Sequence, residues 1–442
     1  MGRTIRWALV LVLGTASPGR AADDFEREPI RYSASTPDNV VSRLQKRLEG
    51  GKSKLTHEGK SGYLRSVLRE LGVPVSSQML VYSKTSLQRN RISPRTPRAL
   101  YFSDEAYVGY CSGGDVLEFS AVDPKLGAVF YTLEQDADKK PRLERQTDRC
   151  TLCHASSQTQ GVVGHVVRSV LSDASGYPIL SAGTYRVDQT TALEKRWGGW
   201  YVTGTHGEQS HLGNLIVRTR HVEQPVDNKA GHNVTDLGGR FDRSAYLSGH
   251  SDIVALLVME HQTEAQNYLT RANFDTRQAL HAEQALNKEM SLPATNRWKS
   301  TESRIRSVGD DLLKYLLFCE EAPLSGKVRG TSSFAADFAK RGPRDGKGRS
   351  LRDFDLERRL FRYPCSYLIY SPSFDALPAP VRDYVLERLR KVLTGEDKGK
   401  EFAHLSAADR EAIREILTAT KPNLPASWRA KERASSGHAP PG

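Results

Sequence analysis

Several features that would settle the class of this chain outright are missing or scarce. Only five of its 442 residues are cysteine, so it is no disulfide-stapled secreted scaffold, and the odd count leaves at least one thiol outside any disulfide. No apolar run has membrane length: the stretch Ala8 to Leu13 is too short to span a bilayer, and nothing later is uninterrupted for the required distance. There is no Lys/Arg block and no aromatic-studded basic repeat, which argues against nucleic acid as a partner despite a formal net charge of +12. Internal repeats are absent, and so is any His-x3-His or second close pair of cysteines.

The N-terminus carries Arg3 and Arg6, a short apolar run, and small residues ending in Gly19-Arg20-Ala21. That is the pattern of a signal peptide spanning residues 1–21, and it predicts a periplasmic or secreted protein without an integral membrane span. Arg3, Arg6 and Arg20 belong to the leader, which takes the net charge from +12 to +9. A basic surface of that kind suits an acidic protein partner. At 38% hydrophobic and 26% charged, the remainder has the composition of a globular protein with real cores.

Along the chain, Val40–Leu48 and Tyr63–Leu71 have helical apolar spacing. From Met79 the pattern changes to short β-branched and aromatic runs between Pro and Gly turns: "MLVYSKTSL", "ALYFSDEAYVGYC", "VLEFSAV" and "GAVFYTLEQ". These predict a small antiparallel sheet. Beyond Asp252 the spacing is helical over 252–290, 301–319, 333–341, 352–362, 380–394 and 406–419. The expected class is α+β: N-terminal short helices and an antiparallel sheet, a middle segment, and a mainly helical C-terminal half. The expected segments are 22–135, 136–250 and 251–430, followed by a disordered tail at 431–442.

The middle segment holds the one close cysteine pair, Cys150-Thr151-Leu152-Cys153-His154. Cys-x-x-Cys-His is the arrangement that binds haem covalently, with two thiols for the porphyrin vinyl groups and an adjacent imidazole for the iron. In a chain of this composition the pattern arises by chance on the order of once in several hundred sequences. A redox dithiol would sit in a βαβ pattern, which the spacing does not supply. A zinc site would need a second ligand pair.

On residues 150–154 the chain resembles a c-type cytochrome. The resemblance implies one covalent haem c, with Cys150 and Cys153 as thioether residues and His154 as proximal iron ligand. It departs from the small cytochromes, where the motif opens a compact helical domain and a distal Met follows. Here it follows a sheet-like region, and the next methionine is Met259. The flanking segments resemble large exported bacterial proteins with a single such motif and no assigned reaction.

Three positions are candidates for the far side of the iron. His206 and His211 lie in the glycine-bracketed "GTHGEQSHLGN", just after Trp197, Trp200 and Tyr201. His261 shares a helical stripe with Leu257, Glu264 and Tyr268, so Glu264 is placed to orient it. For each, the plain alternative is a surface loop or a satisfied core histidine. His165 is rejected: if the motif opens a helix, it lies three turns along and cannot come round. His206, His211, Glu260, His261 and Glu264 together also form a candidate second metal set. The arginines of "RDFDLERRLFRYP" are candidates for haem propionates or for a solvated helix face, and Cys365 is a candidate disulfide partner of Cys319.

Two functions follow as expectations, with a third behind them. One is an exported monohaem cytochrome that passes single electrons to an acidic redox partner. The other is a haem-dependent oxidoreductase or peroxidase-like enzyme with an open sixth position, which the length of the chain favours. A haem-based sensor or scaffold is the third.

Overall fold

The structure, a computed structural model, describes residues 21–218, 222 and 226–428. The expected leader, apart from its last residue, and the expected tail lie outside them. The class is α+β, with an antiparallel sheet in the N-terminal half and helices mostly in the C-terminal half.

Six strands follow one another: β1 (Met79–Val81), β2 (Arg98–Phe102), β3 (Ala106–Tyr110), β4 (Val116–Asp123), β5 (Gly127–Glu134) and β6 (Leu143–Gln146). The short strand Trp200–Tyr201 pairs with the free edge of β1, so the spatial order is Trp200–Tyr201, β1, β2, β3, β4, β5, β6. Period-2 alternation gives the sheet two different faces. One is apolar: Leu117, Phe119 and Ala121 of β4 stand beside Val129, Tyr131 and Leu133 of β5. Helices α1 (Val40–Glu49) and α2 (Leu64–Leu71) bury Val41, Leu44, Leu64 and Val67 in the same core. Asn39 starts α1 by accepting the N–H groups of Val41 and Ser42.

The opposite face is divided. At the β1 end, Met79, Val81 and Phe102 join the core of the helical half. Toward β4 and β5 the same face carries Arg98, Gly109, Glu118, Ser120 and Thr132, brought side by side by the register. A helix core would leave such a polar stretch unsatisfied; here an irregular loop covers it, the one that includes α3 (Thr151–His154).

The helical half is organised around α4 (Ile253–Glu289). Every residue from Ile253 to Met259 is buried, which suits a helix walled in on all sides. Asp252 caps it by accepting the N–H groups of Val254 and Ala255, and also takes the hydroxyl of Ser332. Around it lie α5 (Lys299–Leu316), α6 (Phe334–Lys340), α7 (Pro372–Asp375), α8 (Ala379–Thr394) and α9 (Ala407–Thr420). Among the described residues no helix is long and apolar enough to cross a membrane.

One expected helix is absent. Residues 352–362 fold back on themselves, with Leu356 N–H bonded to Arg359 O and Arg362 N–H to Asp353 O. The reason is local competition. Asp355 accepts the N–H groups of Glu357 and Arg358 in a turn, while Phe354 and Phe361 stack at 5.3 Å. Its arginines are engaged within the protein: Arg352 with Asp104, Arg358 with Asp355, Arg359 with Asp409.

Candidate functional site

The motif helix lasts a single turn. Ala155 leaves helical geometry at φ −134°, and Ser156 opens the next turn by accepting the N–H of Gln158. Gln160 (φ 59°) and Gly161 (φ 75°) then reverse the chain, so that Ala155 bridges Val163. The loop closes on His154 itself: Gly164 N–H bonds to His154 O at 2.8 Å, and His154 Nδ1 lies 3.1 Å from Gly164 O.

That last contact fixes the tautomer. A carbonyl oxygen only accepts, so Nδ1 carries the proton and Nε2 keeps its lone pair. No protein group bonds Nε2 among the described residues. The imidazole rests on Phe130 of β5, with ring centroids 4.7 Å apart, and burial lowers its proton affinity below the ordinary histidine value. Cys150 is half-buried and Cys153 exposed, one helical turn apart and both free thiols. Leu152 points away from them and is 77% exposed.

The residues fit a covalent haem better than the other chemistries of this motif. A metal-bound imidazole donates its second nitrogen to an acceptor, as His154 does. A redox dithiol needs a thiol of lowered pKa, whereas burial, reinforced by the charge of Glu118, pushes Cys150 up to about 11. Among the described residues no group of three or more His, Cys, Asp or Glu side chains is disposed to hold a metal ion, so a zinc partner set for the two thiols is missing. A cleft of about 710 Å³ opens beside the loop, lined among others by Ser157, Gln158, Arg186 and Lys195.

The distal candidates are not brought to His154. His261 is buried in the helical core, stacked on Phe318 at 4.4 Å. Its Nδ1 donates to Gln189 Oε1 at 2.6 Å and its Nε2 accepts from Ser366 Oγ at 2.7 Å, so both nitrogens are engaged. Glu264 does not orient it; that carboxylate takes Gln160 Nε2 at 2.5 Å and Asn267 Nδ2 at 2.9 Å.

His206 and His211 follow the edge strand Trp200–Tyr201. That strand lies five strand spacings, about 24 Å, from β5, which underlies His154. With His232 they form a triad, ring centroids 4.7, 5.2 and 5.5 Å apart. His206 Nε2 accepts the N–H of Asn233 and His211 Nδ1 that of Gly213, which puts a proton on each remaining nitrogen. His206 and His211 therefore offer N–H groups at these nitrogens, the wrong polarity for a cation. Glu260, the other member of the suggested metal set, is held by Arg196 at 2.7 Å and Trp197 Nε1.

His165 corrects the sequence reading. Because α3 is one turn long and the loop doubles back, residue 165 returns to the sheet beside the motif. Its Nε2 bonds Ser120 Oγ at 2.7 Å, its ring lies 4.5 Å from Tyr107, and it shares Phe130 with His154. Nδ1 is buried without a partner. Burial pulls its pKa down to about 3, with the neighbouring His154 adding to the effect. The five cysteines are all free, so Cys319 and Cys365 are separate buried thiols.

Comparison with known protein families, with curated proteins and with solved structures gave no match for the chain.

Proposed function

We propose that this chain is an exported monohaem c-type cytochrome that holds haem c through Cys150 and Cys153, takes His154 as proximal ligand, and transfers single electrons. The observation that carries the reading is the state of the motif turn: two unbonded thiols on one helical turn, beside an imidazole whose Nδ1–H is held by a backbone carbonyl and whose Nε2 is free. Haem c supplies a one-electron iron couple there. Export rests on the leader pattern of residues 1–21, and the basic chain favours an acidic redox partner.

The haem-dependent oxidoreductase with an open sixth position is the second reading, and a specific observation favours it. Both nitrogens of His261 are engaged, and His206 and His211 belong to a triad at the far edge of the sheet. The expected distal ligands are thus not poised to close that position.

One experiment tests both. The protein is produced with its leader in a host that matures haem c, and spectra are taken oxidised, reduced, and reduced under carbon monoxide. Covalent haem supports the first statement; its absence overturns it. A carbon monoxide shift supports the open site, and no shift supports an electron carrier ligated on both faces.

A further inference from the structure

The peptide whose carbonyl meets His154 is also bonded by a helix a hundred residues away. Gly164 O, which accepts from His154 Nδ1, and His165 N–H belong to the same peptide unit. In a planar trans peptide these two groups point in opposite directions, so holding one aims the other. Asn267, buried on α4, holds the second: its Oδ1 accepts His165 N–H at 2.8 Å and its Nδ2 donates to His165 O at 2.7 Å.

The Asn267 amide is itself locked in this sense. Nδ2 also donates to Glu264 Oε2 at 2.9 Å, and a carboxylate facing an amide oxygen would repel it, so the group cannot turn over. Gly164 completes the fit, since a Cβ there would collide with the Asn267 side-chain oxygen.

We propose that Asn267 is a positioning residue for the haem ligand. By gripping the Gly164–His165 peptide it aims Gly164 O at His154 Nδ1, which fixes the tautomer and sets how strongly the imidazole donates to iron. This rests on the haem reading above. A firm acceptor at Nδ1 makes the imidazole more basic and favours the oxidised form. Loosening it shifts the equilibrium toward the reduced form.

The test compares wild type with Asn267→Ala, Gly164→Ala and the double variant, each matured with haem in the full chain. Attached haem is measured by mass and the reduction potential by titration. We expect full attachment in every variant and a potential about tenfold more favourable to reduction in Asn267→Ala, which is about 59 mV for a one-electron couple. Gly164→Ala should give a similar shift, and the double variant no more than either alone, because both cut the same linkage. If Asn267→Ala does not accumulate, Asn267→Ser, whose hydroxyl is too short to reach His165 N–H, takes its place. An unchanged potential with full haem, or two shifts that simply add, overturns the proposal while the cytochrome reading stands. A wild type without covalent haem overturns both.

Discussion

His154 and His261 are both largely removed from water, yet they are held in opposite ways. His261 sits in the helical core with each nitrogen bonded, one to Gln189 and one to Ser366, and aromatic rings packed against it. His154 lies on the polar face of the sheet, in a loop, with one nitrogen bonded and the other free. The first is a structural group whose hydrogen-bonding capacity is exhausted. The second is oriented and left able to bind something else. His154 keeps the unengaged nitrogen that a ligand needs, and His261, also largely removed from water, does not.

The comparison breaks most visibly at the motif. The double variant Cys150→Ala/Cys153→Ala should lose covalent haem entirely under denaturing conditions, while His261→Ala should retain it in full; mass spectrometry of the two proteins checks this. The second effect is on stability. His261→Ala leaves the Ser366 hydroxyl and Gln189 without their partner in a dry core, at a cost of about 2–4 kcal/mol by denaturant titration. Its response to carbon monoxide should match wild type, and a response gained only in the variant would mean that His261 reaches iron after all.

The third effect is in the pH dependence. Burial pulls both His261 and His165 down to about 3 from an ordinary 6.5. Between those values the unfolded chain takes up protons that the folded chain refuses, so each imidazole's contribution is complete above 6.5 and is lost as pH falls toward 3. Each contributes about 1.4 kcal/mol per pH unit across that window. His261→Gln should flatten the wild-type slope by about that amount between roughly pH 4 and 6, and an unaltered slope would show that His261 titrates normally in the folded protein.

The sheet was readable from sequence because period-2 alternation and turn residues are local signals, and the expected runs from Met79 to Gln135 match β1 through β5 to within a residue at the ends of β2 and β4. The Cys150–His154 motif is likewise a local pattern of five consecutive residues. What could not be read is what comes from far away. The partners of His261 lie 72 and 105 residues from it, so its helical stripe with Glu264 suggested an orienting carboxylate that in fact faces the motif loop. His165 was set aside on the assumption of a continuing helix; Gln160 and Gly161 at positive φ turn the chain instead, and only the glycine hinted at that. Asn267 carried no signal at all, since a lone asparagine in a helix resembles any exposed polar position.

The linkage between α4 and the motif also orders events in time. Asn267 stands 102 residues after His165, the residue it grips. At a synthesis rate of about 5–20 residues per second, the motif exists for roughly 5–20 s before its clamp has been made. During that interval the Cys150–His154 turn has no tie to the central helix, and afterwards it is fastened there through the Gly164–His165 peptide. Chain order alone thus separates the two ends of a linkage that only the finished fold joins.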